Sequence, residues 1–116
     1  MKLLNRIFLM LAIGLIFSNC TKDKVATSEL GNCDETISFS SDVMPIITAN
    51  CTSCHNVGNS TGYTLTNHAN VSANVDAVIG AMRANGFQLM PQGSPALPDS
   101  LIQKINCWKN QGLPNN

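Results

Sequence analysis

Cys51-Thr52-Ser53-Cys54-His55 constrains this chain more than any other stretch of its 116 residues. Two thiols three residues apart lie nearly above one another on a helical turn, so both can bond to one flat partner. The imidazole that follows then reaches the same side. C-x-x-C-H is the pattern of covalent haem attachment, with Cys51 and Cys54 as thioethers to the two vinyl groups and His55 on the iron. Two other readings use the same residues. A redox-active C-x-x-C opens a helix in a βαβ setting, whereas these cysteines close a predicted helix. A zinc site would draw on Cys51, Cys54, His55 and His68, but the spacing of His68 fits no common zinc pattern.

The N-terminal part is set apart from the fold. Lys2 and Arg6 precede an unbroken run of 11 apolar or Gly residues, Ile7 to Phe17. Such a run is too short to cross a hydrocarbon core, which takes roughly 20 residues, but it fits the apolar region of a secretory signal. Ser18, Asn19 and Cys20 follow, and residues 1–19 with this cysteine resemble a bacterial lipoprotein signal, which makes Cys20 the acylated first residue of the mature chain. Simple cleavage nearby, releasing a soluble protein, is the alternative. Thr21 stands where lipoproteins kept in some inner membranes have Asp, which leans toward the outer membrane. Removing residues 1–19 leaves five basic residues against seven acidic ones, a formal charge of −2. That balance offers no footprint for nucleic acid. Four aromatics remain, Phe39, Tyr63, Phe87 and Trp108. This is sparse for a core of such a size, and a large apolar cofactor would make up the shortfall.

Residues 20–36 read as a polar tether, and the folded domain is expected over 37–116. Pro45 lacks an amide hydrogen and belongs in the first turn of a helix, which places a first helix over Asp42–Cys54, capped at Asp42 or close to it. Ile47, Cys51 and Cys54 share its face. Residues 56–65 read as a loop, and 67–84 as one or two short helices. Two Gly and three Pro make 85–98 irregular. A last helix runs from about Asp99 to Gln111 with the stripe Leu101, Ile102, Ile105 and Trp108, ended by Gly112 and Pro114. No stretch alternates as a strand. The fold expected is all-α.

Phe39-Ser40-Ser41-Asp42-Val43-Met44-Pro45-Ile46, leading into the pentapeptide, resembles the opening of small class I cytochrome c domains of bacterial exported proteins. Leu89-Met90-Pro91 and the helix through Trp108 complete the likeness, which covers roughly residues 37–116. The resemblance implies three to four helices around one haem, the first and last crossing, with His55 and Met90 as the two axial ligands. Read by itself, Met90 stands in an irregular loop stiffened by Pro91, and its soft thioether suits haem iron and raises the reduction potential. The alternatives are that Met90 fills the core, or that His68 takes its place. Met82, on a predicted helix, reads as packing. Two positions depart from the family. No Pro follows His55 in residues 56–65 to accept its second imidazole hydrogen, and Val43 replaces a Gly common at the helix crossing, so Trp108 must pack differently.

Cys33 and Cys107 are left as a pair. At 100° per residue Leu101, Trp108, Ile105 and Ile102 span about −20° to +100°, with Cys107 near −120°, off the stripe. An exposed thiol is a liability in an oxidising compartment. Cys33 precedes the first helix, which the resemblance lays across the last. A Cys33–Cys107 disulfide is therefore expected. The alternatives are two reduced thiols, or Cys107 buried against a neighbour.

A six-coordinate iron has no open position, so the function expected is electron transfer between redox partner proteins by a monomer held at the membrane through lipid, not catalysis. Residues 85–97 contain no His, Asp, Glu, Lys or Arg, and so no acid–base group for a peroxidase. A haem-based sensor, with the distal ligand weak or absent, is the alternative. Arg83 is the only basic residue between Lys24 and Lys104, so partner association is expected to vary little with salt.

Overall fold

In a computed structural model of the chain, residues 33–116 are described. The signal segment 1–19, Cys20 and the tether up to residue 32 lie outside them. Helices are the only regular elements among the described residues, so this part of the chain is all-α.

The first helical stretch starts earlier and ends sooner than Pro45 and the apolar pattern suggest. It opens as a π-helical turn, Phe39–Val43, and continues as α1, Met44–Asn50. Ser38, not Asp42, is the cap: its hydroxyl accepts from the Ser41 N–H at 3.3 Å. Asp42 sits inside the first turn and its carboxylate accepts the Ser38 N–H at 3.0 Å, a reciprocal pair like a capping box. Pro45 can donate no hydrogen bond and its ring crowds the carbonyl four residues back. The wide turn directly upstream, in which the Val43 N–H reaches the Ser38 carbonyl, gives the chain room there.

Two short helices follow, α2 (His68–Ala73) and α3 (Val75–Met82). Asn67 caps α2 by accepting from the Asn70 N–H at 3.0 Å. The last helix is α4, Asp99–Asn110. It ends in a Schellman motif: the Leu113 N–H bonds to the Trp108 carbonyl and the Gly112 N–H to that of Lys109. Gly112 takes the required left-handed conformation, φ 88°.

The core lies where the π turn and α1 meet α4. Val43, Ile47, Ile105 and Trp108 are fully buried. With Val43 at the crossing, the Trp108 ring packs beside Phe39 (centroids 5.4 Å apart) and edge-on to His68 (5.7 Å). Its indole N–H donates to the Pro114 carbonyl at 2.9 Å. Ile102 and Ile105 continue the stripe inward, and Leu101 is half-buried. Lys104 pairs with Asp42 at 2.8 Å, and Lys109 pairs with Asp76 of α3.

Cys33 and Cys107 form a disulfide with Cα atoms 5.3 Å apart. Cys107 is buried rather than on a bare face, because the lead-in segment covers that side of α4. The Gln111 amide donates to the Glu35 carbonyl at 2.7 Å and accepts the Ile37 N–H at 2.9 Å. Among the described residues, contacts with the domain thus reach back to Cys33, ahead of residue 37.

Candidate cofactor-binding site

The pentapeptide forms a tight turn at the end of α1. The Cys51 N–H bonds to the Ile47 carbonyl at 2.8 Å, and the His55 N–H to the Cys51 carbonyl at 2.9 Å. Asn56–Leu65 then doubles back, and the Leu65 N–H closes on the His55 carbonyl at 2.8 Å. On the far side, Met90 is held at the C-terminal end of α3, its N–H bonded to the Ala81 carbonyl at 3.0 Å. The loop between is anchored by the Asn85 N–H on the Gly80 carbonyl at 2.8 Å. Gly80 matters here, since a Cβ at this position would come within 2.6 Å of the Phe87 ring.

Between these two loops lies a cavity of about 730 Å³. Cys51, Cys54, His55 and Met90 all line it, although Met90 is 35 residues from His55 in sequence. Leu65, Val78, Met82 and Leu97 supply much of its apolar wall. No Asp, Glu, Lys or Arg is among the lining residues. The size falls within the range of about 300–1,000 Å³ usual for cofactor and ligand sites.

His55 is fixed by its second ring nitrogen. Nδ1 lies 3.1 Å from the Tyr63 carbonyl oxygen, which can only accept. Nδ1 therefore carries the hydrogen, and Nε2 keeps a lone pair suited to a metal. A backbone carbonyl from a non-proline residue thus fills the role for which residues 56–65 hold no Pro.

His68 belongs elsewhere. Its Nε2 bonds to the Leu113 carbonyl at 2.9 Å, and its ring packs edge-on against Phe39 at 4.9 Å. It does not line the cavity. Among the described residues no three His, Cys, Asp or Glu cluster as a metal site. Burial pushes the Cys51 thiol up to about 11, so it is protonated at neutral pH. A redox-active pair would need the opposite shift, from a nearby cation or a helix N-terminus.

Sequence patterns missed three members of this site: the Tyr63 carbonyl, Thr61 and Asn59. The one signal for them is the run Asn59-Ser60-Thr61-Gly62, whose residue types favour turns with side-chain-to-backbone bonds. Among the described residues no helix is long and apolar enough to cross a membrane. Compared with known protein families, curated proteins and solved structures, the chain matches none.

Proposed function

We propose that this chain is an electron carrier: a class I cytochrome c-like domain with one covalent haem, axially held by His55 and Met90 and exported as a lipoprotein anchored through Cys20. The observation that carries the reading is the convergence of Cys51, Cys54, His55 and Met90 on one apolar cavity of about 730 Å³. The donor set suits the group, since imidazole and thioether are both established haem ligands. Bound there, haem supplies a one-electron couple.

The chain's own residues do the rest. Cys51 and Cys54 would fix the ring plane by two thioether bonds, and His55 offers Nε2 because Tyr63 occupies Nδ1. Met90 approaches from the loop anchored on α3. Leu65, Val78, Met82 and Leu97 exclude water, and the charge-free lining leaves ligand identity and hydrogen bonding as the main levers on the potential. Held by both His55 and Met90, the iron would keep no open position, which favours electron transfer over a sensor with an open site.

The test is to mature the full chain in a host that attaches haem, then extract with acidic ketone. Haem should stay with the polypeptide, and Cys51→Ala with Cys54→Ala should abolish its retention. The oxidised protein should show the weak long-wavelength band of a ferric iron–thioether bond. Met90→Ala should remove that band and lower the reduction potential. An unaltered band in that variant would remove Met90 from the ligand set, and haem lost on extraction would end the proposal.

A further inference from the structure

The loop after the pentapeptide holds an arrangement that goes further than the haem assignment, and rests on it. Besides the Tyr63 carbonyl, His55 Nδ1 has a second neighbour, the Thr61 hydroxyl at 3.0 Å. Since Nδ1 carries the hydrogen, this hydroxyl can only accept there and must direct its own hydrogen elsewhere. Asn59 Oδ1 lies directly against Thr61 Oγ1 and also accepts the Thr61 backbone N–H at 2.8 Å. The same Asn59 side chain donates through Nδ2 to the Tyr63 carbonyl at 3.0 Å. That carbonyl, which also lies 3.2 Å from the Thr61 hydroxyl, therefore faces three donor groups, and the imidazole hydrogen is divided between it and Thr61. The Tyr63 N–H donates to Thr61 Oγ1 at 3.3 Å, completing a short closed network.

We propose that Thr61, oriented by Asn59, is a positioning residue that shares the Nδ1 hydrogen of His55 with the Tyr63 carbonyl and so tunes the bond from Nε2 to iron. A hydroxyl that donates to Asn59 is a stronger acceptor at its own oxygen, because linked hydrogen bonds polarise one another. A stronger bond at Nδ1 makes the imidazole more basic at Nε2. A more basic ligand favours the ferric state and lowers the potential. A side-chain acceptor also differs from a carbonyl in that a point substitution can remove it.

The experiment is an equilibrium redox titration of the haem-loaded full chain with Thr61→Val and Thr61→Ser. Loss of a bond that is stronger in the ferric than in the ferrous state should move the Thr61→Val equilibrium about fivefold toward the reduced form. This is an upward shift of about 40 mV at 59 mV per tenfold. Thr61→Ser keeps the hydroxyl and should stay at the parent value. In the reduced protein with nitrogen-labelled His, the Nδ1 hydrogen should exchange faster in Thr61→Val and at the parent rate in Thr61→Ser. Equal shifts in both variants would mean that Thr61 acts by packing, and haem in place with no shift in either would equally overturn this proposal while leaving the haem assignment intact. A parent chain with no attached haem would remove both.

Discussion

The seam between the two ends of the domain and the cavity between its two long loops are built in opposite ways. At the seam, the π turn, α1 and α4 fill the interior with one another, and Val43, Ile47, Ile105 and Trp108 are fully buried. Backbone polar groups there find protein partners. Asn116 alone takes the Ser40 N–H at 2.9 Å, the Ser38 hydroxyl at 2.9 Å and, through its side chain, the Phe39 N–H at 2.9 Å. At the cavity, the protein forms an apolar wall without filling it, and Tyr63 and Phe87 are each about half exposed (47% and 49%). On the proposed reading, stability resides at the seam and chemistry at the cavity, so changes at the cavity should alter the haem without unfolding the domain.

The sharpest way to break this division is Trp108→Ala. Removing a fully buried indole should cost about 4–5 kcal/mol, and denaturant unfolding should show the domain melting at a much lower midpoint, with the Met90 band lost while haem stays covalently attached. A variant that unfolds at the parent midpoint would show that the seam is not where the stability lies. Next in size is Cys33→Ser, which opens the loop of 74 residues. The expected loss is about 3 kcal/mol, because the thioethers would already restrain part of the unfolded chain. The visible spectrum should stay unchanged, and a shifted spectrum would couple the two regions.

The smallest effect sharpens the comparison through pH. The hydrogen bond from Lys104, helped by the Ser38 N–H, holds the Asp42 carboxyl below the ordinary carboxylate range. Its stabilisation is therefore present above that range and is lost as pH falls through the folded-state value. The same contact raises Lys104, whose contribution holds below the ordinary lysine range and fades as pH rises through the raised value. Both groups are partly exposed, so Asp42→Asn should cost under about 1 kcal/mol at neutral pH. It should flatten the acid limb of the stability profile and leave the haem band alone. A profile as steep as the parent's would assign the acid limb to other carboxylates.

How much of this was legible in the residues differs between the two regions. The stripe of α4 and its stop at Gly112 follow from helical period and backbone freedom, and the structure has both. The pentapeptide is a pattern of local spacing, and the structure has it as a tight turn closing α1. Cys107 is the instructive case. A helical wheel gives the direction of a side chain but not what lies over it, and the cover here comes from a segment 74 residues away, to which it is bonded. The π turn was hidden for a similar reason: Pro45 declares that one hydrogen bond is missing, not how the preceding turn will widen. At the cavity, the partner of His55 is a backbone carbonyl, a group that every residue carries, so no residue type could mark Tyr63 for the role.

If the chain is anchored through Cys20 as proposed, the fastening of Cys33 to α4 gains a mechanical meaning. Tension arriving along the lead-in meets a covalent bond into the last helix before it reaches the hydrogen bonds around Ser38. The bond delivers that load to Cys107, next to the fully buried Trp108. The loops that carry His55 and Met90 lie off this line of force. Crowding or drag at a surface would then tug on the domain's strongest part, while the ligand geometry stays slack.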